Sequence, residues 1–185
     1  MSTKQIAKST TEIQIPKDVK VSLKGSMLYV QGPLGKVYKN FKKIPVLIQI
    51  NDNKILLSRI GERKKHQAIF NTSKSLIQTL CAGVVDGFTI KMKIVYSHFP
   101  ITVNIEGKKV LIKNFQGERA ERVSVIKGDT LVVAKGDDVI ITGPVLTDVS
   151  QTTANIQLKS KVKNKDHRVF LDGIYRYSKS KGIEK

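Results

Sequence analysis

Alternation of apolar and polar residues predicts that most of this chain folds into short β-strands. Residues 19–23 alternate strictly, as expected for a strand with one buried face, and residues 27–31 form its return partner across a glycine turn. Gly32-Pro33-Leu34-Gly35 predicts a further reversal. A second hairpin covers residues 46–58. From Glu62 to about Cys81, apolar residues recur every three or four positions, which predicts an amphipathic helix.

The same pattern occurs twice along the chain. A shift of 82 positions places the apolar residues and glycines of residues 19–35 on those of residues 101–117. A shift of 84 positions does the same for residues 47–57 and 131–141, so one short insertion separates the two copies. Because strands, turns and glycines match in order, we interpret the repeat as a tandem duplication.

The second copy begins with an additional strand, residues 88–96, and ends with a helix that Thr147 or Asp148 is predicted to cap. Further hairpins are predicted at residues 107–108 and 135–137. These patterns predict an α+β fold. It is a tandem duplication of an antiparallel sheet packed on one helix, with a basic C-terminal tail.

The expected domains are a first sheet-plus-helix domain at residues 1–82, a second at 83–162, and a basic C-terminal extension at 163–185. From Lys159 to Lys185 the chain has nine basic residues against three acidic ones, with aromatic residues between them. Such a segment has too few apolar side chains to pack alone, so we expect it to be disordered or ordered by a partner.

The formal net charge of +18 in 185 residues indicates a polyanionic partner. A single cysteine, Cys81, excludes an internal disulfide and is typical of a reducing compartment. The first twenty residues lack the apolar run of a signal peptide, and no apolar run is long enough to cross a membrane. We therefore expect no membrane partner.

Residues that could carry catalysis or bind a metal are few. His66, His98 and His167 lie far apart in the sequence, and we expect His98 to be packed or hydrogen-bonded at a strand end. Cys81 is expected to be a small buried apolar residue. Asp137 and Asp138 are predicted to lie in a hairpin turn. No glycine-rich phosphate motif is present, so we predict a non-enzyme without cofactor, metal or small-molecule substrate.

The basic residues instead favour phosphate contacts. The candidates outside the tail are Lys91 and Lys93 on one face of a strand, the pair Arg119 and Arg122, and the cluster Arg59, Arg63, Lys64 and Lys65. Aromatic residues within the basic tail suit stacking on RNA bases. The glycines of Gly32-Pro33-Leu34-Gly35 lie between strands and not between helices, which disfavours the nucleotide clamp of KH modules.

Three segments then carry a resemblance to a known family. They are residues 96–101 (Tyr-Ser-His-Phe-Pro-Ile), residues 114–119 (Asn-Phe-Gln-Gly-Glu-Arg), and the basic run from Lys163 to Arg168 followed by Phe170 and Asp172-Gly173-Ile174-Tyr175. Together with the duplicated fold, they resemble the large-subunit ribosomal protein six family. The similarity is greatest to its archaeal and eukaryotic branch, called protein nine in eukaryotes, and it extends over nearly the whole chain.

The resemblance implies a structural constituent of the cytosolic large ribosomal subunit, with nucleolar passage during assembly if the source is eukaryotic. In that family the second domain and the basic tail bind large-subunit rRNA near the sarcin–ricin loop, beside the site where translational GTPases land. Neighbouring large-subunit ribosomal proteins are further expected partners. The implied rRNA-binding residues are Lys161, Lys163, Lys165, His167, Arg168, Tyr175, Arg176, Lys179 and Lys181, with Lys91 and Lys93 in second place.

Two other functions stay open at this point. A free-standing RNA-binding regulatory protein would have the same charge and fold, and it would show sequence preference among transcripts. An enzyme acting on RNA is disfavoured because the chain shows no acid–base or metal-binding constellation.

Overall fold

The structure is a computed structural model that describes residues 6–51 and 53–183. The chain divides into two compact units, and the boundary between them lies between Val85 and Asp86. The boundary lies three residues beyond residue 82, the predicted end of the first domain. Each unit contains its own antiparallel sheets and its own long helix.

The described part of the first unit contains the strands and the helix predicted for the first copy of the repeat, preceded by one strand that was not predicted. The strands form two antiparallel sheets, ordered β1-β6-β5 and β2-β3-β4. The elements are β1 (Ile6–Gln14), β2 (Lys20–Lys24), β3 (Met27–Gly32), β4 (Gly35–Asn40), β5 (Val46–Asn51), β6 (Lys54–Ile60) and α1 (Lys64–Val85).

Helix α1 buries one face against β3 and β6. Its buried side chains recur at the predicted spacing of three and four, because one face of a helix repeats every 3.6 residues. They include Phe70, Ser73, Ile77, Leu80, Cys81 and Val84.

The helix begins two residues after Glu62 and continues beyond Cys81 to Val85, with Gly83 buried within it. Gly87, which follows the helix, has a φ of 75°, a conformation that glycine adopts without strain.

Gly32-Pro33-Leu34-Gly35 is the turn between β3 and β4, as predicted. The Leu34 N–H donates to the Val84 carbonyl oxygen at 3.0 Å. A Cβ atom on Gly32 would lie 2.8 Å from Val84 Cγ2, so glycine allows the end of α1 to approach the hairpin. The motif therefore packs on a helix end within the first unit.

The described part of the second unit repeats this order and then adds one strand. Its sheets are ordered β11-β12-β7-β13 and β10-β9-β8, all antiparallel. A short 3-10 helix, Phe115–Gly117, follows β9. The elements are β7 (Phe88–Val95), β8 (Thr102–Glu106), β9 (Lys109–Lys113), β10 (Arg122–Val125), β11 (Leu131–Lys135), β12 (Asp138–Gly143), α2 (Leu146–Lys159) and β13 (Gly173–Lys181).

The two sheets of the first unit correspond strand for strand to those of the second. The order β1-β6-β5 matches β7-β12-β11, and β2-β3-β4 matches β8-β9-β10. The predicted α+β duplication is therefore confirmed. Strand β7, interpreted from the sequence as additional, has β1 as its counterpart. Residues 6–14 escaped prediction because polar residues dominate the segment and its apolar residues do not alternate.

Helix α2 covers the four-stranded sheet of the second unit. Its buried residues include Val149, Thr153 and Ile156, which recur every three or four positions as on one face of a helix. The predicted capping residues are wrong. The helix begins at Leu146 with Val145 before it, and Asp148 lies in the first turn, where a carboxylate is favourable beside the N-terminal N–H groups.

The prediction of a tail that is disordered or ordered by a partner is wrong for residues 173–181. These residues form β13, which pairs with β7 from Gly173 to Lys181. Ile174 has no exposed surface and lies in the core with Met92 and Ile94 of β7. Strand pairing satisfies the β7 edge and the backbone groups of β13 that face it, so few apolar side chains suffice.

Candidate nucleic-acid interface

Strand β13 brings the basic tail next to the lysines of β7. Tyr175 lies opposite Lys93, and Ser178 lies opposite Lys91. Since side chains directly opposite one another in an antiparallel pair share a face, Tyr175 and Lys93 project from the same side of the sheet. Tyr175 is 42% exposed. Two groups of residues predicted separately from the sequence are thus adjacent.

Tyr177 joins this face through an irregularity in β13. The register shifts between Arg176 and Ser178, so one extra residue is accommodated there. The Tyr177 hydroxyl donates to Asp138 Oδ1 at 3.3 Å, and Lys93 Nζ lies 3.5 Å from the same oxygen. Lys91, Lys93, Tyr175 and Tyr177 form what we call the tyrosine–lysine face.

Three predicted tail residues do not lie on this face. Arg176 is opposite Met92, which is fully buried, and it lies near Gln157 of α2 on the other side of the sheet. Lys179 and Lys181 are opposite Ile90 and Phe88, both of which face the core. The three cations are exposed, but the structure does not group them with Lys91 and Lys93.

The segment between α2 and β13 carries the other predicted residues, and all of them are exposed. They are Lys161, Lys163, Lys165, His167 and Arg168. We call residues 161–171 the basic loop.

Two cations of the basic loop already contact neighbouring groups. Arg168 Nη2 lies 3.0 Å from Asp166 Oδ2, and hydrogen bonds from the Arg168 side chain and backbone hold the pKa of Asp166 below its usual range. Lys165 Nζ lies 4.5 Å from the centroid of the Phe170 ring. Because an exposed ion pair contributes little to the free energy of folding, a phosphate group can replace the Asp166 carboxylate beside Arg168 at low cost.

The three segments that carry the family resemblance meet at Asp172. Its Oδ1 accepts a hydrogen bond from the Ser97 N–H at 2.8 Å, and its Oδ2 accepts one from Gln116 Nε2 at 3.4 Å. A Cβ atom on Gly117, whose φ is 75°, would lie 3.2 Å from the Phe99 ring. Asp172 therefore holds the end of the basic loop against two other connections of the second unit.

Arg122 holds the beginning of the basic loop. Its Nη1 donates to the carbonyl oxygens of Lys159 at 2.9 Å and Lys161 at 3.1 Å, at the C-terminal end of α2. The guanidinium carbon lies 4.0 Å from the centroid of the buried Phe115 ring. The Arg122 side chain is only 19% exposed, and its hydrogen bonds connect β10 to the end of α2.

Glu118 completes this arrangement. Its carboxylate accepts hydrogen bonds from Arg122 Nε and Nη2. These bonds, with a smaller contribution from the charge of Lys163, hold the pKa of Glu118 below its ordinary value.

Sequence reasoning missed Tyr177 and the structural role of Asp172. A signal for Tyr177 was present, because Tyr175, Tyr177, Lys179 and Lys181 recur every second residue as in a strand. The composition of the tail obscured this period. Nothing in the sequence alone marked Asp172 as a hydrogen-bond acceptor for segments more than fifty residues away.

The remaining candidates have unremarkable surroundings. Cys81 is buried, and burial raises the pKa of its thiol, as expected for an inert cysteine. Asp137 lies in the predicted hairpin turn, but Asp138 is the first residue of β12. His98 is exposed and is therefore not packed at the strand end. Within residues 6–51 and 53–183, no group of histidine, cysteine or carboxylate side chains could hold a metal ion. No described helix is both long and apolar enough to span a membrane.

Comparison with known proteins identifies the family. The family model for ribosomal protein L6 matches residues 99–173, which include Gln116 and Asp172. Large ribosomal subunit protein uL6 of the archaeon Staphylothermus marinus is 41% identical over 170 residues, covering 90% of this chain and 92% of that protein. This chain belongs to the ribosomal protein L6 family.

Two further archaeal relatives support the assignment to the archaeal branch of this family. The uL6 protein of Thermoplasma volcanium is 43% identical over 167 residues, covering 90% of this chain and 94% of the relative. That of Methanosarcina mazei is 38% identical over 177 residues, covering 96% and 99%. The resemblance noted from the sequence is confirmed. The alignments with these relatives extend over both units, because they cover 90–96% of this chain.

Proposed function

We propose that this protein is a structural constituent of the large ribosomal subunit that binds large-subunit rRNA through its second unit. Membership of the L6 family supports the assembly, and the uL6 relatives are named as large-subunit proteins. The observation that carries the rRNA assignment is the pairing of β13 with β7, which places Tyr175 beside Lys93. Exposed aromatic rings and ammonium groups on one face suit stacking on bases and contact with phosphates.

The basic loop supplies the second part of the proposed interface. Its ends are held by Arg122 and Asp172, so its five exposed basic residues project from a defined position in the fold. Ordering before binding reduces the entropy lost when RNA is bound. We propose that the tyrosine–lysine face and the basic loop bind rRNA near the sarcin–ricin loop, close to the site of translational GTPases. Neither region performs catalysis.

Charge reversal in the basic loop tests this proposal. Replacing Lys163, Lys165 and Arg168 with glutamate should impair incorporation into the large subunit, measured by sedimentation of cell extracts through a high-salt sucrose gradient. The fold should persist, because all three side chains are exposed. The matched control replaces three exposed lysines of the first unit with glutamate, namely Lys17, Lys24 and Lys36. Equal incorporation of both variants would contradict the assignment of the loop.

Ultraviolet cross-linking of purified large subunits tests the location of the contact. Tyr175 and Tyr177 should cross-link to nucleotides in the rRNA domain that contains the sarcin–ricin loop. Cross-links confined to another rRNA domain would contradict that location.

Sedimentation of the wild-type protein separates the two candidate functions. If the wild-type protein remained at the top of the sucrose gradient, a free RNA-binding regulator would be the better interpretation.

A further inference from the structure

Three consecutive apolar residues at the end of the basic loop are exposed. Val169 is 69% exposed, Phe170 38% and Leu171 57%. Single exposed apolar side chains are ordinary, whereas a run of three is unfavourable in water unless a partner covers it. We call residues 169–171 the apolar segment and interpret it as a contact surface.

The apolar segment belongs to an ordered turn. The Asp166 carbonyl oxygen accepts hydrogen bonds from the Val169 N–H at 3.1 Å and from the Phe170 N–H at 2.9 Å. Asp166 Oδ1 accepts a third bond, from the Arg168 N–H at 2.9 Å. Val162, at the beginning of the loop, is buried in the core. The apolar side chains are therefore presented to solvent by a turn of defined conformation.

The apolar segment directly follows the cations of the basic loop. Residues 161–171 contain four lysine and arginine residues and one acidic residue, Asp166, which pairs with Arg168. Lys165 Nζ lies 4.5 Å from the centroid of the Phe170 ring, so charge and apolar surface are in contact. Charge complementarity favours a polyanion as the partner of such a loop.

The types of side chain distinguish between two kinds of RNA surface. Unpaired bases stack on planar groups, but Val169 and Leu171 are aliphatic and have no planar face. The minor groove of an RNA double helix is wide and shallow, and it displays ribose and base edges between two rows of phosphates. Apolar side chains enter the groove in proteins that bind minor grooves, while cations contact the phosphates. The combination in the basic loop matches this second surface.

We propose that the apolar segment packs in the minor groove of a double-helical rRNA segment, with Val169 and Leu171 against the groove and the cations of the loop on the phosphates beside it. The proposal rests on the proposed function and adds the class of RNA surface that the loop binds. It predicts a contribution to affinity that is independent of salt, because apolar contacts release no counterions.

A photo-crosslinking amino acid at position 169 tests the proposal in the assembled particle. In purified large subunits, Val169→benzoylphenylalanine should cross-link to base-paired nucleotides of the rRNA, mapped by reverse transcription. The matched control carries the same amino acid at Leu131, which is also 69% exposed and lies outside the basic loop. A cross-link from position 169 to a protein or to unpaired nucleotides, or a yield no higher than from position 131, would overturn the proposal.

Binding of the free protein to the mapped RNA helix measures the apolar contribution. The double variant Val169→Ser, Leu171→Ser should fold normally, since both side chains are exposed, and should bind about tenfold or more weakly at each salt concentration. The slope of log affinity against log salt should stay the same, because no phosphate contact is removed. The matched control, Leu131→Ser with Val133→Ser, removes aliphatic side chains of similar exposure, 69% and 54%, and should bind as the wild type does.

The outcomes separate this proposal from the proposed function. Unchanged affinity of the Val169→Ser, Leu171→Ser variant, or a reduced salt slope, would contradict packing of the apolar segment in the groove. Failure of the wild-type protein to sediment with large subunits would instead contradict the proposed function. Normal sedimentation of the wild type together with unchanged affinity of the variant contradicts only the apolar contact.

Discussion

At the scale of single residues, Arg122 shows why charge alone does not identify an RNA contact. Its planar guanidinium donates to the Glu118 carboxylate and to two carbonyl oxygens at the end of α2. A lysine has the same charge but lacks this fixed set of donors. A cation is also favourable at the C-terminal end of a helix. Arg122 thus stabilises the point where the basic loop begins.

Replacing Arg122 with lysine should therefore lower the free energy of unfolding by about 1–3 kcal/mol, since the bonds to Glu118 and the helix end are lost. Urea unfolding of the free protein, followed by circular dichroism, measures this change. The matched control is Arg119→Lys at an exposed position, with an expected effect within about 0.5 kcal/mol. Similar effects of the two substitutions would show that the Arg122 contacts do not stabilise the fold.

The pair of Glu118 and Arg122 also predicts a dependence of stability on pH. Because the pKa of Glu118 is lowered in the folded state from an ordinary value of 4.5, its contribution is present above that value. The contribution is lost as the pH falls through the lowered pKa. Comparing wild type with Glu118→Gln between pH 7 and pH 2 should show a difference in unfolding free energy that shrinks below about pH 4.5. A difference independent of pH would be inconsistent with this linkage.

At the scale of secondary-structure elements, β13 shows that residues 173–181 of the tail are an ordered strand. The segment has one fully buried apolar side chain, Ile174, and most of its other side chains are exposed. Its order comes from the ladder with β7 and from hydrogen bonds at both ends of the strand. The Ile174 N–H donates to Ser160 Oγ at 3.0 Å, and the Gly182 N–H donates to the Gly87 carbonyl oxygen at 3.0 Å. The strand is therefore part of the second unit.

Substitution of Ile174 by alanine distinguishes a packed strand from a disordered tail. Removing a fully buried isoleucine side chain should cost about 2–5 kcal/mol of unfolding free energy, because it loses burial and leaves a cavity. The control within the same tail is Val169→Ala, at a side chain that is 69% exposed. Urea unfolding of both variants measures the difference. No destabilisation by Ile174→Ala would show that β13 is not packed in the core.

At the scale of the whole molecule, the excess of positive charge gives RNA binding a strong dependence on salt. The chain carries 33 basic and 15 acidic residues, and the second unit concentrates exposed cations in the basic loop. Each phosphate contact releases counterions, so the observed affinity falls as salt rises. Within the assembled subunit the same contacts are screened less, because they are shielded from bulk solvent.

Binding of the free protein to an rRNA fragment should therefore weaken by about 10³–10⁵ between 50 and 200 mM salt if roughly 6–10 phosphates are contacted. Fluorescence anisotropy measures this slope. The variant with Lys163, Lys165 and Arg168 replaced by glutamate should have a slope smaller by about two to three, since each lost phosphate contact removes about 0.7–0.9. An unaltered slope would mean that these three residues do not contact phosphates.

Much of this fold was predictable because local pattern and tertiary structure agree. The hairpin turns at residues 32–35, 107–108 and 135–137 were correctly placed, since glycine and short polar segments determine where a strand reverses. The helices were correct in type, with ends displaced by a few residues. Strand β1 was missed because its residues show little alternation, and β13 because its composition suggested disorder.

The sequence by itself determined the duplication, the α+β class, the basic character and the membership of the family, because repeats, periodicity, charge and motifs are properties of the order of residues. Only the tertiary structure decided which of the candidate residues lie next to one another. Strand pairing set Tyr175 beside Lys93, and hydrogen bonds brought Ser97 and Gln116 to Asp172. The physical reason is that pairing register and long-range hydrogen bonds join residues far apart in the chain, and no local pattern records those contacts.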